Sequence, residues 1–104
     1  MKSQVYAVFD KKAEVSMRPF FFNSDAEAMR SFVHAVGGAD SKLSEYPEDF
    51  GLFRVGTWND HTMALEPEEH GVCKVMDGLS AYRLGREREE SFKAMQESDS
   101  HEKM

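Results

Sequence analysis

The stretch that most limits what this chain can fold into is Tyr46-Pro47-Glu48-Asp49-Phe50-Gly51-Leu52-Phe53-Arg54-Val55-Gly56-Thr57-Trp58-Asn59-Asp60. It opens as a turn, because Pro47 fixes φ and Glu48 and Asp49 are poor strand residues. From Phe50 to Trp58 it reads as a strand rich in aromatic and β-branched residues, and Asn59-Asp60 closes it with a second turn. Strict alternation puts Phe53, Val55 and Thr57 on one face and Leu52, Arg54 and Trp58 on the other.

The segments around this strand supply its partners. Val5-Tyr6-Ala7-Val8-Phe9 is apolar on both faces and reads as a central strand, ended by Asp10-Lys11-Lys12. Val15 to Phe22 is extended but carries Pro19, which makes it an edge strand or breaks it there. Ser24 followed by Glu27 has the capping-box spacing and starts a helix. That helix buries Ala28, Met29, Phe32, Val33 and Val36 along one stripe and stops at Gly37-Gly38. Residues 39–46 read as a polar loop. Thr62 to Glu66 is the returning arm of a hairpin, and Val72 to Met76 a last short strand stopped by Asp77-Gly78. Arg86 to Gln96 carries only a thin apolar stripe of Phe92 and Met95, and residues 97–104 have almost nothing to bury. The expected fold is α+β: an antiparallel sheet of four to five strands with one main helix across it. Residues 1–83 make the domain, and 84–104 an acidic C-terminal extension, helical or disordered.

Charge narrows the function. The chain has 104 residues and a formal net charge of −6. Residues 1–58 hold 7 basic and 8 acidic groups, and residues 59–104 hold 6 and 11. Such a balance argues against a coat of positive charge on duplex DNA, but leaves room for a local basic surface on the N-terminal half. The single cysteine, Cys73, excludes an internal disulfide and fits a reducing cytoplasm. No apolar run reaches the ~20 residues of a membrane span. A soluble protein without membrane contact is expected.

Three groups of residues could carry chemistry. Lys11, Lys12 and Arg18 lie close in sequence to Tyr6, Phe20, Phe21 and Phe22, and cations beside rings on a sheet are what single-stranded nucleic acid requires. The same residues also read as core phenylalanines beside a solvated turn. Trp58 with Arg54 is a candidate stacking or interface pair, or else a partly buried core tryptophan. His70 and Cys73, with His61 and Asp60, have a zinc-like offset but no second pair of ligands, so a free buried cysteine and no metal are expected. The chain contains no phosphate loop, nucleophile elbow or HExxH motif. We therefore expect no enzyme activity and no cofactor.

Several of these motifs together resemble a known family. Tyr46-Pro47-Glu48-Asp49-Phe50, Leu52-Phe53, Gly56, Trp58-Asn59-Asp60 and Thr62 are similar to the Pro-Glu-Asp-aromatic, Leu-aromatic, Gly, aromatic-Asp pattern of the small non-structural protein of gokushovirus-like microviruses, phages with circular single-stranded DNA. Tyr6 to Asp10 with Lys12-Ala13, Arg18-Pro19-Phe20-Phe21, and Asp25-Ala26-Glu27-Ala28 with Arg30 and Phe32 resemble its other elements in the same order. The resemblance covers about residues 4–66. It departs after the turn threonine, where the family tends to have glycine and this chain has Met63, and the family commonly stops soon after the hairpin. The resemblance implies a non-structural phage protein in the host cytoplasm that acts in genome replication. It would bind single-stranded DNA, or phage or host replication proteins. It supplies no catalytic residue.

Two functions from different classes follow. In the first, Lys11, Lys12, Arg18, Arg54 and Trp58 face single-stranded DNA. In the second, the chain is a protein-interaction module, contacting a host or capsid protein or a second copy through Trp58 and the edge formed by Phe20, Phe21 and Phe22. A homodimer paired through an open sheet edge is expected in either case.

Overall fold

The sheet is built outward from β1 (Lys2–Asp10), the strand announced by the run apolar on both faces. The computed structural model describes residues 2–38 and 41–102, with side chains as far as residue 95. Along one side β1 pairs antiparallel with β4 (Phe50–Asn59) over its whole length. Along the other it pairs with β2 (Val15–Ser16) near its end and β3 (Phe20–Phe22) near its start. Pro19, which has no N–H to give a ladder, lies in the break between those two. The far side of β4 is shared in the same way. Its C-terminal half pairs with β5 (Ala64–Pro67) and its N-terminal half with β6 (Cys73–Asp77). The result is an α+β fold with an open, antiparallel, six-stranded sheet.

The register of β1 against β4 corrects the strict alternation. Val5 stands opposite Gly56 and Tyr6 opposite Arg54, so Val55 is an extra residue on β4. A bulge of this kind flips the side-chain pattern beyond it. Arg54 and Thr57 therefore share a face, while Phe53 and Trp58 share the opposite one. Alternation had placed Arg54 beside Trp58; the structure places them on opposite sides of the sheet.

One face is covered by helices. Tyr6, Val8, Phe50 and Leu52 of the sheet pack against Ala28, Phe32, Val33 and Val36 of α1 (Asp25–Gly37) and Ala81 of α3 (Gly78–Glu102). The α1 N-terminus forms as its spacing predicts. Ser24 Oγ accepts from Glu27 N–H at 3.2 Å, and the Glu27 carboxylate accepts from the N–H of Asn23, one residue before the cap, at 3.3 Å. α1 ends at Gly37-Gly38 as expected, with Gly38 extended at φ −70°. Gly37 lies against Gly85 of α3, where a Cβ on either would come within 3.2–3.3 Å of the other's Cα. Between α1 and β4 the expected polar loop contains a single helical turn, α2 (Lys42–Glu45), capped by Ser41, then a 3₁₀ turn over Pro47–Asp49.

α3 starts eight residues before the expected helix. Asp77 looked like a stop, but it is the cap. Its carboxylate accepts from Ser80 N–H at 2.8 Å and from Ser80 Oγ at 2.9 Å, and these bonds hold its pKa below the usual carboxylate range. Gly78 is fully packed, and a Cβ there would overlap the carbonyl oxygens of Pro47 and Phe50. The helix runs unbroken past residue 83, with Ala81 in the core and Tyr82 and Leu84 packed against it. Of the extension expected to be helical or disordered, the backbone as far as Glu102 continues α3 as helix, and residues 103 and 104 lie outside the described residues. No helix among the described residues is long and apolar enough to cross a membrane.

Candidate functional site

The two faces of the sheet hold different chemistry. On the covered face, at the N-terminus of α1, Tyr6 donates its hydroxyl hydrogen to Asp25 Oδ1 at 2.6 Å. Arg54 reaches the other oxygen of Asp25 at 2.8 Å and donates through Nε to Glu68 Oε1, also at 2.8 Å. Gln4, Asn23, Ser24 and Thr57 complete the wall of a polar hollow of about 450 Å³. Burial, then the bond to Asp25, pushes the Tyr6 hydroxyl well above its ordinary pKa. The bond from Tyr6, then the Arg54 guanidinium, holds the Asp25 carboxyl below the usual range. The carboxylates of Glu68 and Asp25 raise the pKa of Arg54. Each shift moves its group away from neutral pH, so this knot fixes charge rather than transferring protons. It ties α1 to β4 and to the loop after β5.

The opposite face carries none of the helix-packed core cluster, although Val5 and Ala7, which register places there, are themselves buried. Register places Phe9, Phe21, Phe53 and Trp58 there. Phe21 and Trp58 stand edge to face with centroids 6.4 Å apart, and Phe9 and Phe53 do the same at 6.3 Å. The Phe53 ring lies over Gly51, whose missing side chain leaves the space. Trp58 is half-buried and Phe21 is 53% exposed. Lys74, exposed on β6, stands opposite Phe53 and adds a cation. Asp77 falls near this face by register, but its carboxylate is turned to Ser80.

The sequence candidates divide accordingly. Lys11 and Lys12 sit exposed in the β1–β2 turn, held by the Asp10 carboxylate accepting from Lys12 and Ala13 N–H. Arg18 is exposed in the link between β2 and β3. Among the described residues none of these three enters an ion pair. Arg54 is not with them: its guanidinium is engaged by two carboxylates on the covered face. Of the phenylalanine edge, Phe20 and Phe22 turn inward against Tyr6, and Phe21 alone turns out toward Trp58. Phe9, Phe53 and Lys74 were missed. Alternation within Val5-Tyr6-Ala7-Val8-Phe9 carried the signal for Phe9, but the bulge hid the shared face of Phe53 and Trp58. Cys73 is exposed rather than buried, because it begins an edge strand. Among the described residues no group of three His, Cys, Asp or Glu side chains could hold a metal ion.

Comparison with known proteins found no curated protein and no solved structure that matches. A family model described as "Phage ORF5 protein" matches residues 3–80, from β1 to the first turn of α3, and extends beyond the resemblance over about residues 4–66. By that match the chain belongs to the phage ORF5 protein family.

Proposed function

We propose that this phage protein binds single-stranded DNA on the uncovered face of its sheet and acts during genome replication, without an enzymatic activity of its own. The observation that carries the reading is the pair of aromatic couples, Phe21–Trp58 and Phe9–Phe53, on the one sheet face that the helices leave bare. Bases have a π-face whatever their identity, so such a platform accepts any sequence at about 1–3 kcal/mol per stacked base. Lys74 on the face, with Lys11, Lys12 and Arg18 at its β2–β3 side, supplies the contacts to phosphate. Three acidic groups, Asp25, Glu66 and Glu68, bond to residues of the covered side, and the Asp10 and Asp77 carboxylates are engaged by backbone N–H groups of their own turns. The resemblance to proteins of single-stranded DNA phages names the strand that such a platform would meet.

Fluorescence anisotropy with a single-stranded oligonucleotide across a salt series tests this. Trp58, the only tryptophan, reports from inside the site. Binding should quench it, and log K should fall with log salt at a slope of about −0.7 per phosphate contacted. A chain that leaves both anisotropy and Trp58 emission unchanged at low salt would overturn the reading. The interaction-module alternative, with Phe21 and the open edges of β3 and β5 meeting a second copy, would then take its place.

A further inference from the structure

We propose that the groove between α1 and α3 is a second, phosphate-binding site, shaped for a nucleotide. It lies on the helix side of the sheet and so stands or falls independently of DNA binding on the uncovered face. The groove has a volume of about 560 Å³, within the range of small-molecule sites. Arg30 and His34 of α1 line it together with Arg86, Arg88 and Phe92 of α3, and Glu89 is the only acidic side chain among its described lining residues. Its floor is the Gly37–Gly85 contact, where two helices meet without side chains between them.

Among the described residues that line it, three arginines meet one glutamate, in a chain of net charge −6. Arg86 is held in place, since it lies 5.3 Å over the Tyr82 ring, donates to the Tyr82 hydroxyl at 3.1 Å and stands 3.5 Å from Glu89. Glu89 is shared with Lys93 at 3.6 Å. Arg30 and Arg88 enter no ion pair among the described residues. An anion seated between Arg30 and Arg88 would supply the counter-charge that neither has among the described residues. A planar guanidinium fork fits the oxygens of a phosphate. Val33 and the 60% exposed ring of Phe92 add an apolar wall beside the cations. A simple inorganic anion would leave that wall unused, whereas a nucleotide places its phosphates on the arginines and its base on the ring.

Titration of the full chain with N-methylanthraniloyl-dATP, followed by anisotropy, tests the site. Binding should be displaced by unlabelled dATP and more weakly by pyrophosphate. Arg30→Gln/Arg88→Gln should weaken it at least tenfold, Arg30→Lys/Arg88→Lys should keep part of it, and Trp58→Ala should leave it unchanged. Both arginines are exposed, so thermal melting of the variants should match the parent. Absence of binding to millimolar nucleotide overturns the proposal. So does binding that ignores the arginine changes or disappears with Trp58→Ala, which would put the probe on the uncovered face. Displacement by polyglutamate but not by dATP also overturns it, and assigns the groove to an acidic protein segment.

Discussion

Leu52 and Phe53 are neighbours on one strand, yet they belong to different parts of the molecule. Leu52 is fully buried under the helices, and Phe53 is half-buried on the other side. The difference shows where stability and recognition separate in a one-layer sheet. Packing against α1 and α3 uses up the covered face, while the other keeps large rings in contact with water, where single exposed rings are ordinary and grouped ones mark binding surfaces. The sharpest way to break this contrast is to truncate each residue. Leu52→Ala should cost about 3 kcal/mol, because a cavity opens in a packed core. Phe53→Ala should cost less, about 1–2 kcal/mol, since its ring keeps some contact with water and no packed core closes over it. Urea denaturation of both variants checks the gap, and equal losses would mean that the bare face is covered in solution.

Arg54 and Trp58 extend the contrast from stability to function. Arg54→Met leaves the Asp25 and Glu68 carboxylates facing each other without their cation, and should cost about 1–2 kcal/mol, less than for a buried pair because Asp25 is part-solvated. It should leave DNA affinity untouched. Trp58→Ala should do the reverse, lowering affinity about 10- to 100-fold in the anisotropy assay with little change in the melting midpoint. Loss of DNA binding with Arg54→Met would show that the knot, not the aromatic face, meets the strand.

Much of this arrangement is readable in the sequence, and the part that is not has a physical cause. The capping box of Ser24 and Glu27, the β1 run and the break at Pro19 are local signals, and each produced the element it announced. Asp77-Gly78 was ambiguous, because the residue types that end a strand also cap a helix; only the tight fit of Gly78 against Pro47 and Phe50 decides between them. The Val55 bulge is a property of pairing, visible in neither strand alone. One inserted residue moved Arg54 from the expected DNA face into an ion-pair knot and brought Phe53 round to Trp58. Sites that depend on register are hidden in this way, whereas sites on a single helix face are not.

Titration separates the faces again, with a smaller effect. The Asp25 carboxyl is held below its ordinary pKa. The stability it contributes is therefore present above about pH 4 and lost as the pH falls through the lowered folded value. Asp77 acts in the same direction. The Tyr6 hydroxyl is raised, so its contribution is present below about pH 10 and is lost as the pH rises beyond that. The rings of the bare face do not ionise and add nothing at either limit. Tyr6→Phe should abolish the alkaline loss in a melting-temperature profile and cost about 1–2 kcal/mol at neutral pH, the worth of a hydrogen bond to a carboxylate. A profile whose alkaline limb survives Tyr6→Phe would place its origin elsewhere.

The smallest effect concerns the turn that returns β4 into β5 and carries Trp58 and Leu65 to the same register. Asn59 Oδ1 accepts from the N–H of His61 at 3.0 Å and of Thr62 at 3.4 Å, and Thr62 Oγ1 accepts from Ala64 N–H at 3.3 Å. Closing the loop then requires Met63 at φ 59°, the left-handed region where a Cβ is crowded. The resemblance leads to the expectation of glycine at this position, and the left-handed backbone is one that glycine adopts without strain. Met63 is 77% exposed, so its side chain returns little packing. Met63→Gly relieves the crowding, about 1–2 kcal/mol, and loosens the unfolded chain, about 0.4–1 kcal/mol. The net should be a gain of about 0.5–1 kcal/mol with DNA affinity unchanged, because the Asn59 and Thr62 bonds that set the turn remain. Destabilisation by Met63→Gly would show that the methionine side chain supports the hairpin after all. A change in affinity would show that this turn, and not register alone, positions Trp58 on the bare face.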